Sequence, residues 1–247
     1  MGLDSEQGWQ TVEALVDAVA DVGAANGLPF VAAQSDLGDP GPMSDAHGQP
    51  YGEQRLRWID EASPYWRNRR LALDAQFLNA ARVTAEPFFY TGGKLASWRP
   101  TALLDGFDCH NVTEATGIAA AIIAPAHLPR GRLGAVVWVA RHPIDVRAVF
   151  AAEAERWQAL ALKLVAAHAE VTTKRPLTGK LKTLSRREVQ CLRWAAAGKT
   201  DGEIGIILGL SVSTVRFHLR NAATKLGTTG RAQAIQTAAG LGFVGAR

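Results

Sequence analysis

Ser213, Arg216, Phe217, Arg220 and Thr224 fall on one face when the stretch after Ser211 is wound as a helix at about 100° per residue. Two guanidinium groups, two hydroxyls and an aromatic ring on one exposed face suit the major groove of duplex DNA. Arginine grips a guanine edge or a phosphate, and a phenyl ring touches a thymine methyl. His218 and Lys225 flank that face, within reach of a phosphate backbone. The free N–H groups at Ser211–Ser213 offer a further phosphate contact. On spacing alone, a plain bundle helix with solvated arginines is the competing reading.

No catalytic or metal-binding constellation accompanies these residues, so no enzyme activity, metal or cofactor is expected. Gly198-Lys199-Thr200 lacks the earlier glycine of a phosphate-binding loop, since position 193 is Arg193. Gly240-Leu241-Gly242-Phe243-Val244-Gly245 has glycines at dinucleotide-binding spacing but follows a helical pattern, not a strand. His110, His127 and His142 are far apart and show no metal spacing. Neither a Gly-x-Ser-x-Gly elbow nor an HExxH helix occurs.

The elements that must position the basic face read clearly. Ser185 and Glu188 form a capping box that opens a helix with Val189, Leu192 and Ala196 at apolar spacing, closed at Gly198. Thr200 and Glu203 form a second box, opening a helix with Ile204, Ile207 and Leu208, closed by Gly209. Ser211 caps a third helix over 212–226, ended by Gly227, and a fourth is expected from Arg231 to Gly240. The second and third helices are separated only by Gly209, Leu210 and Ser211, the short glycine-containing connection of a helix-turn-helix. Val215, Leu219, Ala222 and Leu226 should form the packing face of the third.

Ahead of this segment, a helix is expected over Gln7–Asn26, with further helical pattern over Arg55–Ala62 and Tyr65–Thr84. The Gly/Pro/Asp-rich stretch Ser35–Gly52 reads as a flexible lid or disordered insert. Ile118–Ala124 and Leu133–Ala140 read as a buried hairpin. A long helix over Ile144–Ala169 carries the stripe Phe150, Trp157, Ala161, Leu164 and His168, and should supply dimer contacts. The expected fold class is α+β: an N-terminal α/β/α sandwich with a mainly antiparallel sheet over 1–170, a linker over 171–183, and a C-terminal four-helix helix-turn-helix domain over 184–247.

Charge follows the same division. From Val171 onward there are 13 Lys and Arg against three acidic residues, whereas the preceding residues are mildly acidic. A basic compact segment behind an acidic domain suggests a polyanion site at one end, with a solvated, positively charged surface as the alternative. The two cysteines, Cys109 and Cys191, are too few for a disulfide framework. The N-terminus has no signal-peptide pattern, and no run of about 18 apolar residues is free of charge. A cytoplasmic location and no membrane partner are expected.

The stretch from Leu184 to Ile235 resembles the DNA-binding domain of LuxR-type transcription regulators. The resemblance rests on Glu188, Leu192, Gly198, Glu203, Ile204, Leu208, Ser211, Thr214, Val215, His218, Leu219, Lys225, Leu226 and Ala234. It implies DNA contacts from Ser213, Thr214, Arg216, Phe217, Arg220, Thr224 and Lys225, and a homodimer on a roughly palindromic operator. Phe217 stands where the family usually has a smaller or polar side chain.

The order of elements in residues 1–170 resembles the autoinducer-binding domain of quorum-sensing members. Tyr65-x8-Asp74, the segment AEPFFY and the Gly117–Pro125 run carry that likeness. It implies an acyl-homoserine lactone or another small apolar or aromatic signal. Asp74 would accept from a ligand amide and Tyr65 would line the pocket, with Trp58, Trp66, Phe89, Tyr90 and Trp98 among its walls. Departures are Glu61 in place of a Trp, Ala75 in place of a Pro and Ala121 in place of a Gly. RNA polymerase would be a further partner if the protein activates transcription. A ligand-independent regulator, whose N-terminal domain only dimerises or binds a protein, is the alternative.

Overall fold

The structure, a computed structural model, describes residues 5–39, 42–53, 55–57, 76–173 and 183–245. The chain divides into two compact units, residues 1–128 with 132–174 and residues 175–247 with 129–131. Most of the expected linker lies outside the described residues, as do the candidate ligand residues Trp58, Tyr65, Trp66 and Asp74 and the departures Glu61 and Ala75.

The first unit is built on a five-stranded antiparallel sheet of order β1-β5-β4-β2-β3. Its strands are β1 (Phe30–Gln34), β2 (Phe88–Thr91), β3 (Lys94–Ala96), β4 (Ala120–Leu128) and β5 (Arg132–Ala140). The expected hairpin is the central pair, and its turn is Pro129–Gly131, where Arg130 takes a positive φ of 68°. Successive side chains on a strand point to opposite faces, and both faces here are covered. Ile122, Ala124, Val136 and Trp138 therefore face one apolar cluster, while Ala121, Ile123, Val137 and Val139 face another. That double burial explains why β4 and β5 read as continuous apolar runs rather than alternating ones.

Helices α1 (Ser5–Ala25) and α5 (Val146–Thr172) cover the first face. The stripe Phe150, Trp157, Ala161, Leu164 and His168 is buried, as its spacing requires. It packs against this chain's own sheet and α1. The Trp138 ring packs against Trp157 at 4.8 Å, tilted by 48°, and donates its indole N–H to the Val19 carbonyl at 2.8 Å. Helix α2 (Gln76–Val83), with the short α3 (Ala102–Asp105) and α4 (Val112–Thr116), lies on the second face. Of the helical pattern expected over Arg55–Ala62, only Arg55–Arg57 are described, as a turn, with Leu56 buried in the first cluster; the rest lies outside the described residues.

The Gly/Pro-rich stretch is also not a free lid in its described part. Met43 and Tyr51 are buried in the first cluster. His168 bridges two points of the stretch, with Nδ1 2.8 Å from the Ser35 hydroxyl and Nε2 3.0 Å from the Ser44 carbonyl. A carbonyl only accepts, so Nε2 carries the proton and Nδ1 accepts from Ser35 in the neutral ring. Burial pushes the imidazole pKa below its ordinary value, outweighing the Ser44 bond and aided by the nearby Arg132 charge.

The second unit is a four-helix assembly: α6 (Arg186–Ala196), α7 (Asp201–Leu208), α8 (Val212–Lys225) and α9 (Arg231–Gly240). Its core joins Leu192, Ile204, Val215, Leu219, Ala222, Ala234 and Ala238. On α6 the inward position is Ala195 rather than Ala196.

Candidate nucleic-acid interface

Both capping boxes close as their sequences require. The Ser185 N–H donates to the Glu188 carboxylate at 2.6 Å, and the Glu188 N–H donates back to Ser185 Oγ at 3.3 Å. The Thr200 N–H donates to Glu203 at 2.8 Å, and the Glu203 N–H returns to Thr200 Oγ1 at 3.3 Å. That Thr200 N–H, together with the Lys199 ammonium, pulls the Glu203 carboxyl pKa down to about 2.

Between α7 and α8 the chain turns at once. Gly209 adopts φ 65° in the left-handed region, and the Leu210 N–H bonds the Gly205 carbonyl at 2.8 Å. A Cβ at Gly205 would meet the Leu210 carbonyl at 2.7 Å, so this close approach demands glycine. Ser211 caps α8 by accepting from the Thr214 N–H at 3.1 Å. Its hydroxyl also lies 2.8 Å from the Ser213 hydroxyl and 2.7 Å from that of Thr214.

The two faces of α8 separate as the periodicity predicts. Val215, Leu219 and Ala222 are buried and Leu226 is partly buried, whereas Ser213, Arg216, Phe217, Arg220 and Thr224 are exposed. The Phe217 ring is 49% exposed and stands edge-on to His218 at 5.7 Å. Thr224 Oγ1 donates to the Arg220 carbonyl at 3.0 Å. Arg216 Nε donates to Asp201 Oδ2 at 3.1 Å, and Asp201 Oδ1 also accepts from Arg231.

Lys225 is placed differently from the rest of the set. Its ammonium lies 2.9 Å from the buried Glu188 carboxylate and 3.3 Å from the Thr183 carbonyl, turned toward α6. Burial raises the Glu188 pKa, but the Lys225 ammonium and the Ser185 bonds outweigh it and hold the carboxyl below its ordinary value.

Residues 182–238 match the family of bacterial regulatory proteins described as the luxR family. The C-terminal unit carries a LuxR-type helix-turn-helix domain. The chain is 47% identical over 60 residues to the transcriptional activator protein PhzR of Pseudomonas fluorescens, covering 24% of this chain and 25% of that one. It is 52% identical over 61 residues to the quorum sensing-dependent regulator VjbR of Brucella abortus, covering 25% and 24%. The chain thus spans about a quarter of the length of the curated relatives it matches. A solved structure of Escherichia coli SdiA is similar at 24% identity and a TM-score of 0.39, over 73% of this chain and 71% of that one.

Of the candidate ligand residues in the first unit, three are described. Phe89 and Tyr90, neighbours on β2, are both buried, but Phe89 faces the α1/α5 side and Tyr90 the opposite side. The Tyr90 hydroxyl lies 2.8 Å from that of Thr113. Trp98 is half exposed and, with Phe150, Ala154 and Glu155, lines an open groove of about 350 Å³. Phe89 and Tyr90 therefore do not share a cavity wall. No helix among the described residues is long and apolar enough to cross a membrane.

Proposed function

We propose that the protein is a sequence-specific, DNA-binding transcription regulator that responds to a small-molecule signal. One observation carries the reading: α8 buries Val215, Leu219 and Ala222 and presents Arg216, Phe217 and Arg220 outward, directly after a helix-turn-helix connection. Ser213, Thr214 and Thr224 complete that surface, and Lys225 supports it from behind. Base edges would meet Arg216 and Phe217, and phosphates would meet Arg220 and the N-terminus of α8. A homodimer would place two such helices on a roughly palindromic operator, with RNA polymerase as a partner if the regulator activates.

We assign signal binding and dimerisation to residues 1–170, the connection to 171–183 and DNA reading to 184–247. The signal is an acyl-homoserine lactone or another small apolar or aromatic compound, held near Asp74 and Tyr65 with Trp58, Trp66, Phe89, Tyr90 and Trp98 as candidate walls. Binding would act by linkage, shifting the population of a dimer geometry that sets the spacing of the two recognition helices.

A thermal-shift screen of the full chain tests the sensing half, using lactones of varied chain length beside small aromatic metabolites. A ligand at about a hundredfold over its Kd adds about 2.7 kcal/mol to the native state. A hit that disappears in Asp74→Ala is the expected result. No shift with any compound would replace this half of the reading with a ligand-independent regulator whose N-terminal unit only dimerises or binds a protein.

A further inference from the structure

We propose that Asp201 is a positioning residue that fixes Arg216 as a reader of a guanine edge, so that each half-site recognised by α8 carries an obligatory G·C pair. The inference rests on the DNA-binding reading above and specifies its chemistry.

The geometry is a chain of fixed points. Asp201 is the first residue of α7, and its side chain is only 22% exposed. Its Oδ1 accepts from Arg231 at the start of α9, and Arg231 also donates to the Lys199 carbonyl. The carboxylate is thereby pinned between the N-termini of two helices. Its second oxygen takes the Arg216 Nε at 3.1 Å, while the Arg216 side chain is 72% exposed.

A guanidinium is a rigid planar fork with five donors. Occupying Nε leaves the two Nη groups, which carry no hydrogen bond among the described residues. They form the paired edge that matches guanine O6 and N7. An arginine held by Nε has already lost much of its rotamer freedom, so a bidentate base contact costs less further entropy. Arg220, one turn further along the same face, has no carboxylate partner among the described residues. It is free to follow a phosphate. A carboxylate close to DNA lowers affinity for any sequence, which fits a device that favours discrimination over raw affinity.

The test is binding-site selection from a random duplex pool with the full chain as wild type, Arg216→Ala, Asp201→Ala and Asp201→Asn, followed by salt titrations on the selected site. The wild type should enrich a site with one invariant G·C pair per half-site, and Arg216→Ala should lose that pair. Asp201→Ala should weaken the preference at the same pair by about tenfold or more. It should keep or raise affinity for a scrambled duplex and steepen the salt slope by about one, as the released Arg216 moves to a phosphate. Asp201→Asn keeps one acceptor and should retain part of the preference; it also carries the test if Asp201→Ala does not fold. Undiminished G·C preference in the Asp201 variants overturns the inference while leaving DNA binding intact. Loss of an A·T pair instead of a G·C pair in Arg216→Ala overturns it equally. A wild-type chain that enriches no sequence overturns this inference and the DNA-binding reading together.

Discussion

The Lys225 ammonium and the Glu188 carboxylate, 37 positions apart, meet at 2.9 Å and tie the C-terminal end of α8 to the capping box of α6. Glu188 is 3% exposed, and an unpaired buried carboxylate is costly. Lys225→Met keeps the aliphatic stem but removes the charge. It should destabilise the C-terminal unit by roughly 1–3 kcal/mol, read as a lowered denaturant midpoint. Unchanged stability together with weakened DNA binding would make Lys225 a DNA contact instead.

His168 sets a pH dependence in the first unit. Its imidazole is held neutral by burial, so its folded pKa lies below the unfolded value of 6.5. The unfolded chain then binds the proton more readily. Stability from this group is complete above pH 6.5 and is lost as the pH falls from there through the folded pKa. Thermal melts of the wild type should fall in midpoint across that window. His168→Gln should be less stable at neutral pH and should lack that part of the slope. A parallel pH profile in the variant would contradict the assignment.

Gly23 lets α1 approach the sheet. A Cβ there would sit 2.6 Å from both the Leu28 carbonyl and the Trp138 ring. Gly23→Ala should therefore destabilise the first unit by about 1–3 kcal/mol through overpacking, although alanine is the better helix former. A gain in thermal midpoint would show that the contact yields easily.

The parts of the fold legible in the sequence are those written in local chemistry. Ser185 with Glu188, Thr200 with Glu203, and the glycines at 198, 209 and 227 specify the helices of the C-terminal unit within a few residues of where each acts. The long α5 stripe was legible as buried, but not what it packs against, because periodicity gives a face and no partner. Strand β1 was hidden because only Val31 of its five residues is buried, and β3 has three residues, too few to show a period. The Ser35–Gly52 stretch was legible as loop by composition. What pins it is His168, 133 and 124 positions from its two partners. Likewise a helical wheel puts Lys225 beside the basic face, and only the placement of α6 shows where its ammonium goes. Asp201 gave no signal at all, since its two arginines lie 15 and 30 positions away.

Sequence-specific DNA binding through the exposed face of α8 is tested most directly by an anisotropy titration. The full chain, as wild type and Arg220→Ala, is titrated against its selected duplex and a scrambled duplex over a range of salt. The wild type should prefer the selected duplex by about a thousandfold or more. Arg220→Ala should weaken binding to both duplexes and make the salt slope shallower by about one. Equal wild-type affinity for the two duplexes, or an Arg220→Ala chain that binds as the wild type does, would contradict that assignment.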